Sequence, residues 1–381
     1  MTQTTENINQ KNLSFFVSAG EESGDLHGSK LITAMKKIYP SCQFVGHGGN
    51  KMAEQGVRIL EHIDNLSMVG FSEVIKHLPY MKRVMTLTIK KITKINPARI
   101  ILIDYPGFNL QLIKKISSFG IPITYFILPQ VWAWKENRVR IIRDFVDQSL
   151  SIFPFEPNWF KDRGVSVRYV GHPFSESSPP KISRKKFLKK HNLDPKNPIL
   201  ILLPGSRQQE IDRHWDILLE TIKILKSKIP NLQVIVGKAP SVTLSPGSEN
   251  ICIEHDSKAA LHFGSAAIIA SGTATLEAAV ENIPFIVCYR MSSFSWSLLR
   301  WLSKVSYASM VNLIGKKEIV PEFLQKKMTP ENLSKALFPL INEQTKRESM
   351  RNDFSQVIKM LGEPGVYNRL AKEILRKHTL C

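Results

Sequence analysis

Short apolar runs alternate with segments of helical periodicity along this chain, and the alternation predicts the fold. The runs have the length and composition of buried β-strands. Strands that alternate with helices form a mainly parallel sheet with helices on both faces. The predicted strands are residues 14–19, 42–46, 100–103, 121–128, 147–153, 199–203, 233–236, 266–270 and 285–289.

A Pro- and Ser-rich stretch, residues 171–180, separates two such α/β halves and is typical of a linker. A chain of 381 residues is also too long for one ordinary core. We therefore predict an α/β fold with two Rossmann-like domains and a cleft between them. GT-B glycosyltransferases have this plan, and so do some epimerases. The expected parts are an N-terminal domain (1–172), a C-terminal domain (182–345) and terminal helices that pack back on the N-terminal domain (346–381).

The chain carries a formal net charge of +19. This excess predicts an anionic partner, which is a nucleic acid, an acidic lipid surface or a phosphorylated ligand. No run of 18 uncharged apolar residues occurs, and residues 1–12 do not resemble a secretory signal, so we expect a cytoplasmic protein. The cysteines are widely spaced without a C-x-x-C pair, which favours free thiols and no metal site.

Residues 76–99 contain seven Lys or Arg and no Asp or Glu. Apolar residues fall at helical spacing among them, which predicts a basic amphipathic helix of the kind that lies on an anionic bilayer. Residues 294–302 add further aromatic and basic side chains. The alternative for each segment is a helix whose apolar face packs in the protein core. The overall charge favours membrane contact.

The first candidate site is an acidic Gly-rich turn, residues 19–25, that follows the first predicted strand. Its glycines permit a tight turn, and Ser23 or Asp25 can cap the next helix. Two acids at a strand end also suit a ligand site. The spacing is not G-x-G-x-x-G, so it predicts no dinucleotide.

The second candidate is Asp104, which directly follows the apolar strand 100–103. A carboxylate at the carboxyl end of a parallel sheet faces the ligand-binding edge and can act as a general base. The alternative is a turn-forming Asp before Tyr105, Pro106 and Gly107.

Two turns in the second half suit a diphosphate. In residues 203–207, Gly205 and Ser206 offer backbone amides and a hydroxyl, and Arg207 can bind phosphate through its guanidinium. In residues 270–277, small residues open a helix, and Glu277 lies one turn inside it, where it can bind a ribose diol. The alternatives are an exposed turn and an ordinary helix start.

These motifs, taken in order, resemble the lipid-A-disaccharide synthase family, inverting glycosyltransferases of Gram-negative lipid A synthesis. The run W-A-W at 132–134 is the most specific among them. The resemblance covers most of the chain. The matching stretches are residues 19–25, 67–74, 103–109, 129–134, 153–156, 170–173, 203–207, 271–277, 289–291 and 312–313.

The resemblance implies transfer from UDP-2,3-diacylglucosamine to 2,3-diacylglucosamine 1-phosphate, giving a β-1,6-linked disaccharide 1-phosphate and UDP. It implies Asp104 as the catalytic base, with no cofactor and no metal. The family also implies a peripheral location on the inner face of the inner membrane. The implied nucleotide-binding residues are Ser206, Arg207, Thr273, Glu277 and Asn312. The implied acceptor- or acyl-binding residues are Glu21, Ser23, Asp25, Met68 and Val69.

One departure concerns Gly107, where the family often has a second Asp. Asp104 is therefore expected to act without an acidic partner in its own loop.

Other functions stay open on the sequence alone. One is another GT-B-like UDP-GlcNAc enzyme, such as an epimerase or a murein-precursor glycosyltransferase, and another is a non-catalytic lipid-binding module. Nucleic-acid binding is disfavoured because the basic residues are spread throughout and no recognition fold is visible. A homodimer is compatible with the sequence.

Overall fold

The chain folds into two compact units, and its C-terminal end belongs to the first of them. The computed structural model describes residues 13–66, 78–176, 178–244, 251–293, 296–297, 301 and 305–376. The first unit comprises Met1–Pro173 and Pro364–Cys381, and the second comprises Phe174–Glu363. The chain thus passes between the units inside the predicted linker.

The first unit contains, among its described residues, one parallel sheet with helices on its faces. The strands are β1 (Ser14–Ser18), β2 (Gln43–Gly48), β3 (Val57–His62), β4 (Arg99–Ile103), β5 (Ile123–Phe126), β6 (Gln148–Ser151) and β7 (Val167–Tyr169). Their order across the sheet is β3-β2-β1-β4-β5-β6-β7. The helices are α1 (Glu22–Ile38), α2 (Asn50–Glu54), α3 (Ile63–Leu66), α4 (Leu78–Ile95), α5 (Pro106–Ile116), α6 (Val139–Phe145) and α7 (Glu156–Lys161).

The second unit repeats this plan. Its strands are β8 (Ile199–Leu203), β9 (Gln233–Gly237), β10 (Cys252–Glu254), β11 (Ala266–Ala270), β12 (Phe285–Tyr289) and β13 (Glu322–Leu324), in the parallel order β10-β9-β8-β11-β12-β13. Its helices are α8 (Arg184–Lys190), α9 (Gln208–Lys228), α10 (Ser257–Phe263), α11 (Ala274–Val280), α12 (Met310–Gly315), α13 (Pro330–Asn342) and α14 (Gln344–Met360). The predicted α/β class is confirmed.

The central strands form because their residues are apolar on both faces. Every residue of β4, β8 and β11 is buried, as expected for strands with helices above and below. The predicted strands all occur, with ends that move by a few residues. The strands that the sequence pattern did not predict are β3, β7, β10 and β13, which are the outer strands of the two sheets.

The basic amphipathic helix predicted within residues 76–99 is α4, and its apolar face lies in the core. Val84, Met85 and Ile92 are buried in the cluster that also contains the β4 side chains Ile100 and Leu102. The face expected to contact a bilayer therefore packs against the protein's own sheet, which is the intramolecular alternative. No described helix has the length and apolar character needed to cross a membrane.

The last described helix, α15 (Val366–Arg376), packs against α1 in the first unit. The Tyr367 hydroxyl lies 2.7 Å from Nδ1 of His27, and Gln148 Nε2 donates to the Glu373 carbonyl at 3.0 Å. The expected terminal segment, residues 346–381, is thus divided. Its first helix, α14, lies in the second unit, where Phe354 stacks on Phe285 with ring centroids 5.5 Å apart.

Candidate active site

The topology of the first sheet brings two predicted site residues to one point. The strand order reverses between β1 and β4, so the segments that follow these two neighbouring strands leave a crevice at the carboxyl edge. Glu21 follows β1, and Asp104 follows β4. The Glu21 charge contributes to the raised pKa of Asp104, as expected for acids that follow neighbouring strands.

Hydrogen bonds from three directions fix the backbone at Asp104. Its amide donates to the Phe126 carbonyl at 3.1 Å, and its own carbonyl accepts from Asn109 Nδ2 at 2.7 Å and from the Tyr125 hydroxyl at 2.8 Å. Asn109 in turn accepts a 2.7 Å hydrogen bond from the Ser18 hydroxyl of β1. The turn is therefore tied to the strands on both sides, which fixes the backbone position from which the Asp104 side chain projects.

Asp104 and Tyr105 both adopt left-handed backbone conformations, with φ of 44° and 49°. Few residues other than Gly tolerate this region, and Asp and Asn are the usual exceptions. The Tyr105 ring lies directly against Gly20, where an added Cβ would stand 2.3 Å from the ring. Gly20 is thus required by close approach, which links the acidic turn to the Asp104 turn.

The surroundings of Asp104 favour its protonated form. Burial and then the Glu21 charge raise the pKa of this carboxyl to about 6, although the hydrogen bond from the Tyr105 amide opposes the shift. A carboxylate with this pKa is ionised at neutral pH and is still basic enough to accept a proton. This is the property required of a general base.

Another acid, Glu156, is buried. It lies in the matching stretch 153–156, but the sequence did not predict a role for it. Its carboxyl accepts hydrogen bonds from Trp132 Nε1 at 3.0 Å and from the Phe153 amide at 3.4 Å. Burial raises its pKa to about 8, and the Asp104 charge contributes to this shift. Trp132 of the W-A-W motif therefore donates a hydrogen bond that orients the neutral Glu156 carboxyl, whose pKa also reflects the charge of Asp104.

The other predicted acceptor residues separate into two groups. Glu21 and Ser23 are exposed at the start of α1 and remain available to a ligand. Asp25 is 2% exposed, and its carboxylate accepts hydrogen bonds from the amides of Gly49, Lys51 and Met52 at 2.7–3.0 Å. These bonds cap α2, so Asp25 has a structural role in place of the predicted acceptor contact. Met68 and Val69 lie outside the described residues.

The second sheet has the same reversal of strand order, between β8 and β11. Ser206 and Arg207 follow β8, whereas Thr273 and Glu277 follow β11. Because β8 and β11 are parallel neighbours, both turns lie at the carboxyl edge that binds ligands in such sheets.

Glu210, which sequence analysis missed, organises the turn after β8. Its buried carboxylate accepts from the amides of Ser206 at 2.9 Å and Arg207 at 3.3 Å, and from the Tyr289 hydroxyl at 3.1 Å. A Cβ on Gly205, where φ is +134°, would lie 2.5 Å from the Glu210 carboxylate. The amides of Ser206 and Arg207 are therefore used within the protein, contrary to the prediction that a Ser206 amide faces a diphosphate.

The Arg207 side chain, in contrast, is available. It is 59% exposed, and its nearest guanidinium nitrogen stands 3.5 Å from Glu210 Oε1. Behind the turn, the fully buried His214 joins β8 to β12. Its Nδ1 atom lies 2.7 Å from the Pro204 carbonyl oxygen. Its Nε2 atom accepts a hydrogen bond from the Arg290 amide at 2.9 Å. Burial lowers the pKa of His214, which agrees with a neutral ring in this bridge.

The predicted residues of the β11 turn differ in accessibility. Thr273 is exposed at the start of α11, and Glu277 is partly buried one turn later. Burial and the neighbouring Glu281 raise the pKa of Glu277. Asn312 is fully buried, and its amide donates to Val320 and Glu322 and accepts from the amides of Ile319 and Val320. No atom of its side chain is left for a nucleotide, so Asn312 holds the chain between α12 and β13.

Comparison with known proteins identifies the family. A family model described as Lipid-A-disaccharide synthetase matches residues 15–377. The lipid-A-disaccharide synthase of Myxococcus xanthus is 35% identical over 367 residues, covering 94% of this chain and 96% of the relative. The chain belongs to the lipid-A-disaccharide synthase family. A synthase of Coxiella burnetii is 32% identical over 368 residues, covering 95% of this chain and 98% of the relative.

Membership of the lipid-A-disaccharide synthase family makes the chain an enzyme, a hexosyltransferase of lipid A synthesis, as the sequence motifs predicted. Solved structures confirm the GT-B type of fold. A putative UDP-N-acetylglucosamine 2-epimerase of Listeria monocytogenes has a TM-score of 0.68 at 13% identity and covers 97% of this chain and 98% of its own. A calicheamicin glycosyltransferase has a TM-score of 0.59 at 12% identity and covers 98% of this chain and 99% of its own. At such identities the likeness concerns the fold alone.

Proposed function

We propose that this lipid-A-disaccharide synthase family member transfers 2,3-diacylglucosamine from its UDP derivative to 2,3-diacylglucosamine 1-phosphate, with inversion at the anomeric carbon. The observation that supports this reaction best is Asp104. Its backbone is fixed by hydrogen bonds at the strand-order reversal of the first sheet, and the pKa of its carboxyl is raised to about 6. A single base of this kind is what direct displacement requires.

In the proposed step, Asp104 accepts the proton of the acceptor 6-hydroxyl as that oxygen attacks the anomeric carbon. The bond from this carbon to the UDP oxygen breaks on the opposite face, so an α-linked donor gives a β-1,6 linkage. The electron pair leaves with UDP, and the proton stays on Asp104 until solvent removes it. Atoms and charge balance without a covalent intermediate on the enzyme.

The second unit is proposed to hold UDP. The exposed Arg207 guanidinium would bind the diphosphate and stabilise the negative charge that develops as UDP leaves. Thr273 and Glu277 follow the neighbouring strand β11, and Glu277 would accept hydrogen bonds from the ribose diol. Ser206 would contribute its hydroxyl, because its amide is bound to Glu210.

Both sugar substrates carry acyl chains, so the enzyme is proposed to work on the inner face of the inner membrane. The net charge of +19 would attract an anionic lipid surface. Trp301, whose side chain is 81% exposed, lies in the aromatic and basic segment 294–302 and suits an interfacial contact.

The test is the conversion of the two acylated substrates by wild-type protein and by Asp104→Asn. We expect wild type to release UDP and disaccharide with a rate that rises with pH up to about 6, since the base must be ionised. Asp104→Asn should lower turnover by about 10²–10⁴-fold, which is the usual contribution of a general base.

The matched control is Asp144→Asn, an exposed aspartate of the same unit that pairs with Arg143. It should keep wild-type rates. If Asp104→Asn ran at the wild-type rate, Asp104 would not be the base. If wild type gave no disaccharide, the proposed reaction itself would be wrong.

A further inference from the structure

A cavity of about 530 Å³ lies in the first unit beside the turn that carries Asp104. Pro106 and Gly107, two and three residues after Asp104, form part of its wall. The rest of its lining is unusually basic for its size. The cationic side chains are Lys114, Lys135, Arg138 and Arg140.

Three neighbouring segments supply these cations. Lys114 lies on α5, Lys135 precedes a short 3-10 turn that contains Arg138, and Arg140 lies in the first turn of the next helix, α6. The Trp134 ring supports the middle of the cluster, with Lys135 Nζ 4.4 Å and the Arg138 guanidinium carbon 5.8 Å from its centroid. The exposed tryptophan of the W-A-W motif thus orients two of the charges.

These cations have no counter-ion in the described part of the chain. Arg143 and Arg163, close by in sequence, form ion pairs with Asp144 at 2.8 Å and Glu136 at 2.7 Å. None of the four cavity cations makes such a pair with a described carboxylate. Burial and then the Arg138 charge lower the pKa of Lys135, as expected where like charges stand close together. An anion in the cavity would relieve this repulsion.

The cavity is also near the proposed base. The Tyr125 hydroxyl donates to the Asp104 carbonyl. The pKa of Tyr125 is raised by burial and by the Asp104 carboxylate, and it is lowered by the Arg138 charge. The charges of Asp104 and Arg138 therefore both act on one hydroxyl, that of Tyr125.

We propose that this cavity binds the phosphate monoester of the acceptor sugar, so that the Lys135–Arg138 turn selects a phosphorylated acceptor and orients its 6-hydroxyl towards Asp104. This inference rests on the proposed function. A phosphate dianion matches several cations, and the planar guanidinium can bind two of its oxygens at once. The 1-phosphate and the carbon of the 6-hydroxyl are attached to the two carbons that flank the ring oxygen of the hexose, so a cation cluster beside the base can bind the phosphate of the same sugar.

The experiment measures steady-state kinetics in non-ionic detergent micelles with two acceptors, 2,3-diacylglucosamine 1-phosphate and the same sugar without phosphate. For Arg138→Ala and Lys135→Ala we expect KM for the phosphorylated acceptor to rise about tenfold or more, as for a lost charge-assisted hydrogen bond. With the phosphorylated acceptor kcat should also fall, because the phosphate no longer orients the 6-hydroxyl towards Asp104. KM for the UDP donor should stay unchanged. KM for the unphosphorylated acceptor should also stay unchanged.

The matched control is Lys196→Ala, which removes one positive charge from another basic cavity, in the second unit. It should leave all four constants at wild-type values. Equal KM changes for both acceptors, or no change in Arg138→Ala and Lys135→Ala, would overturn the inference.

A second arm separates the acceptor phosphate from a lipid headgroup. Phosphatidylglycerol vesicles are sedimented with wild type, Arg138→Ala and Lys135→Ala. If the variants bind vesicles as wild type does but have a raised KM in micelles, the result supports an acceptor site. If they lose vesicle binding and keep the wild-type KM, the cavity binds lipid headgroups and the inference is overturned. If wild type converts neither acceptor, the proposed function fails, and this result is distinct from a failure of the cavity assignment.

Discussion

At the scale of single residues, one partly buried carboxyl, Asp104, and one fully buried carboxyl, Glu156, define the chemistry of the first unit. Asp104 was predicted as a site residue from its position after an apolar strand. Glu156 was not predicted, because its local sequence does not indicate that it is buried. The structure brings Glu156 near Asp104 from another strand end and raises the pKa of both groups. Asp104 therefore lacks an acidic partner in its own loop but has one across the fold.

The raised pKa of Asp104 predicts a stability that depends on pH. The unfolded group has its ordinary pKa of 3.8 and the folded group a pKa of about 6. Between these values the unfolded chain loses its proton first, so the free energy of unfolding falls as pH rises, by about 2 kcal/mol after allowance for partial exposure. Asp104→Asn keeps a residue suited to the left-handed backbone and removes the charge.

We therefore expect Asp104→Asn to unfold at a higher urea concentration than wild type at pH 8 and at nearly the same concentration at pH 4. Urea unfolding curves at the two pH values measure this difference. A variant that was equally stable at both would show that the carboxylate is not destabilised in the folded protein.

At the scale of secondary-structure elements, the fully buried strands were predicted from the sequence and the mostly half-buried strands were not. Central strands such as β4 and β8 carry an unbroken apolar run, because helices cover both faces. The missed strands β3, β7, β10 and β13 are edge strands, mostly half-buried, and their mixed composition resembles a loop. An edge strand is fixed by pairing with its one neighbour, which local sequence does not report.

One element prediction concerns Asp25 and α2. The Asp25→Ala variant removes three hydrogen bonds to amides at the start of α2 and should lower the free energy of unfolding by about 3 kcal/mol. The matched control is Glu22→Ala on the same helix, α1, where an exposed pair with Lys51 is lost at a cost below about 1 kcal/mol. Urea midpoints compare the two, and equal midpoints would contradict the capping role.

At the scale of the whole molecule, two sheets and one returning helix organise the chain. Each sheet reverses its strand order once near its centre, and the predicted site residues that stay accessible follow the strands at those two points. The chain end joins the first unit through α15, while α14 stays in the second. A homodimer stays a prediction from the sequence.

The charge of the whole molecule predicts how it binds membranes. Because the apolar face of α4 is buried, attraction to a bilayer should be largely electrostatic and therefore salt-sensitive. Flotation with phosphatidylglycerol vesicles should show binding that falls several-fold between about 0.05 and 0.5 M salt. Phosphatidylcholine vesicles are the control and should bind little at either salt concentration. Binding that did not depend on salt concentration or on lipid charge would indicate that apolar residues insert into the bilayer.

The α/β class, the central strands, the family and the position of Asp104 could all be predicted from the amino-acid sequence, because apolar runs and ordered motifs are local properties. Which residues stay accessible became clear from the three-dimensional fold. The sequence suggests that Asp25 and Asn312 bind ligands, but in the structure their side chains bind backbone groups of other segments, 24–27 residues away for Asp25 and 7–8 residues away for Asn312. Burial, the hydrogen-bond partner and the pKa of a side chain depend on distant segments, so they are fixed only when the sheets assemble.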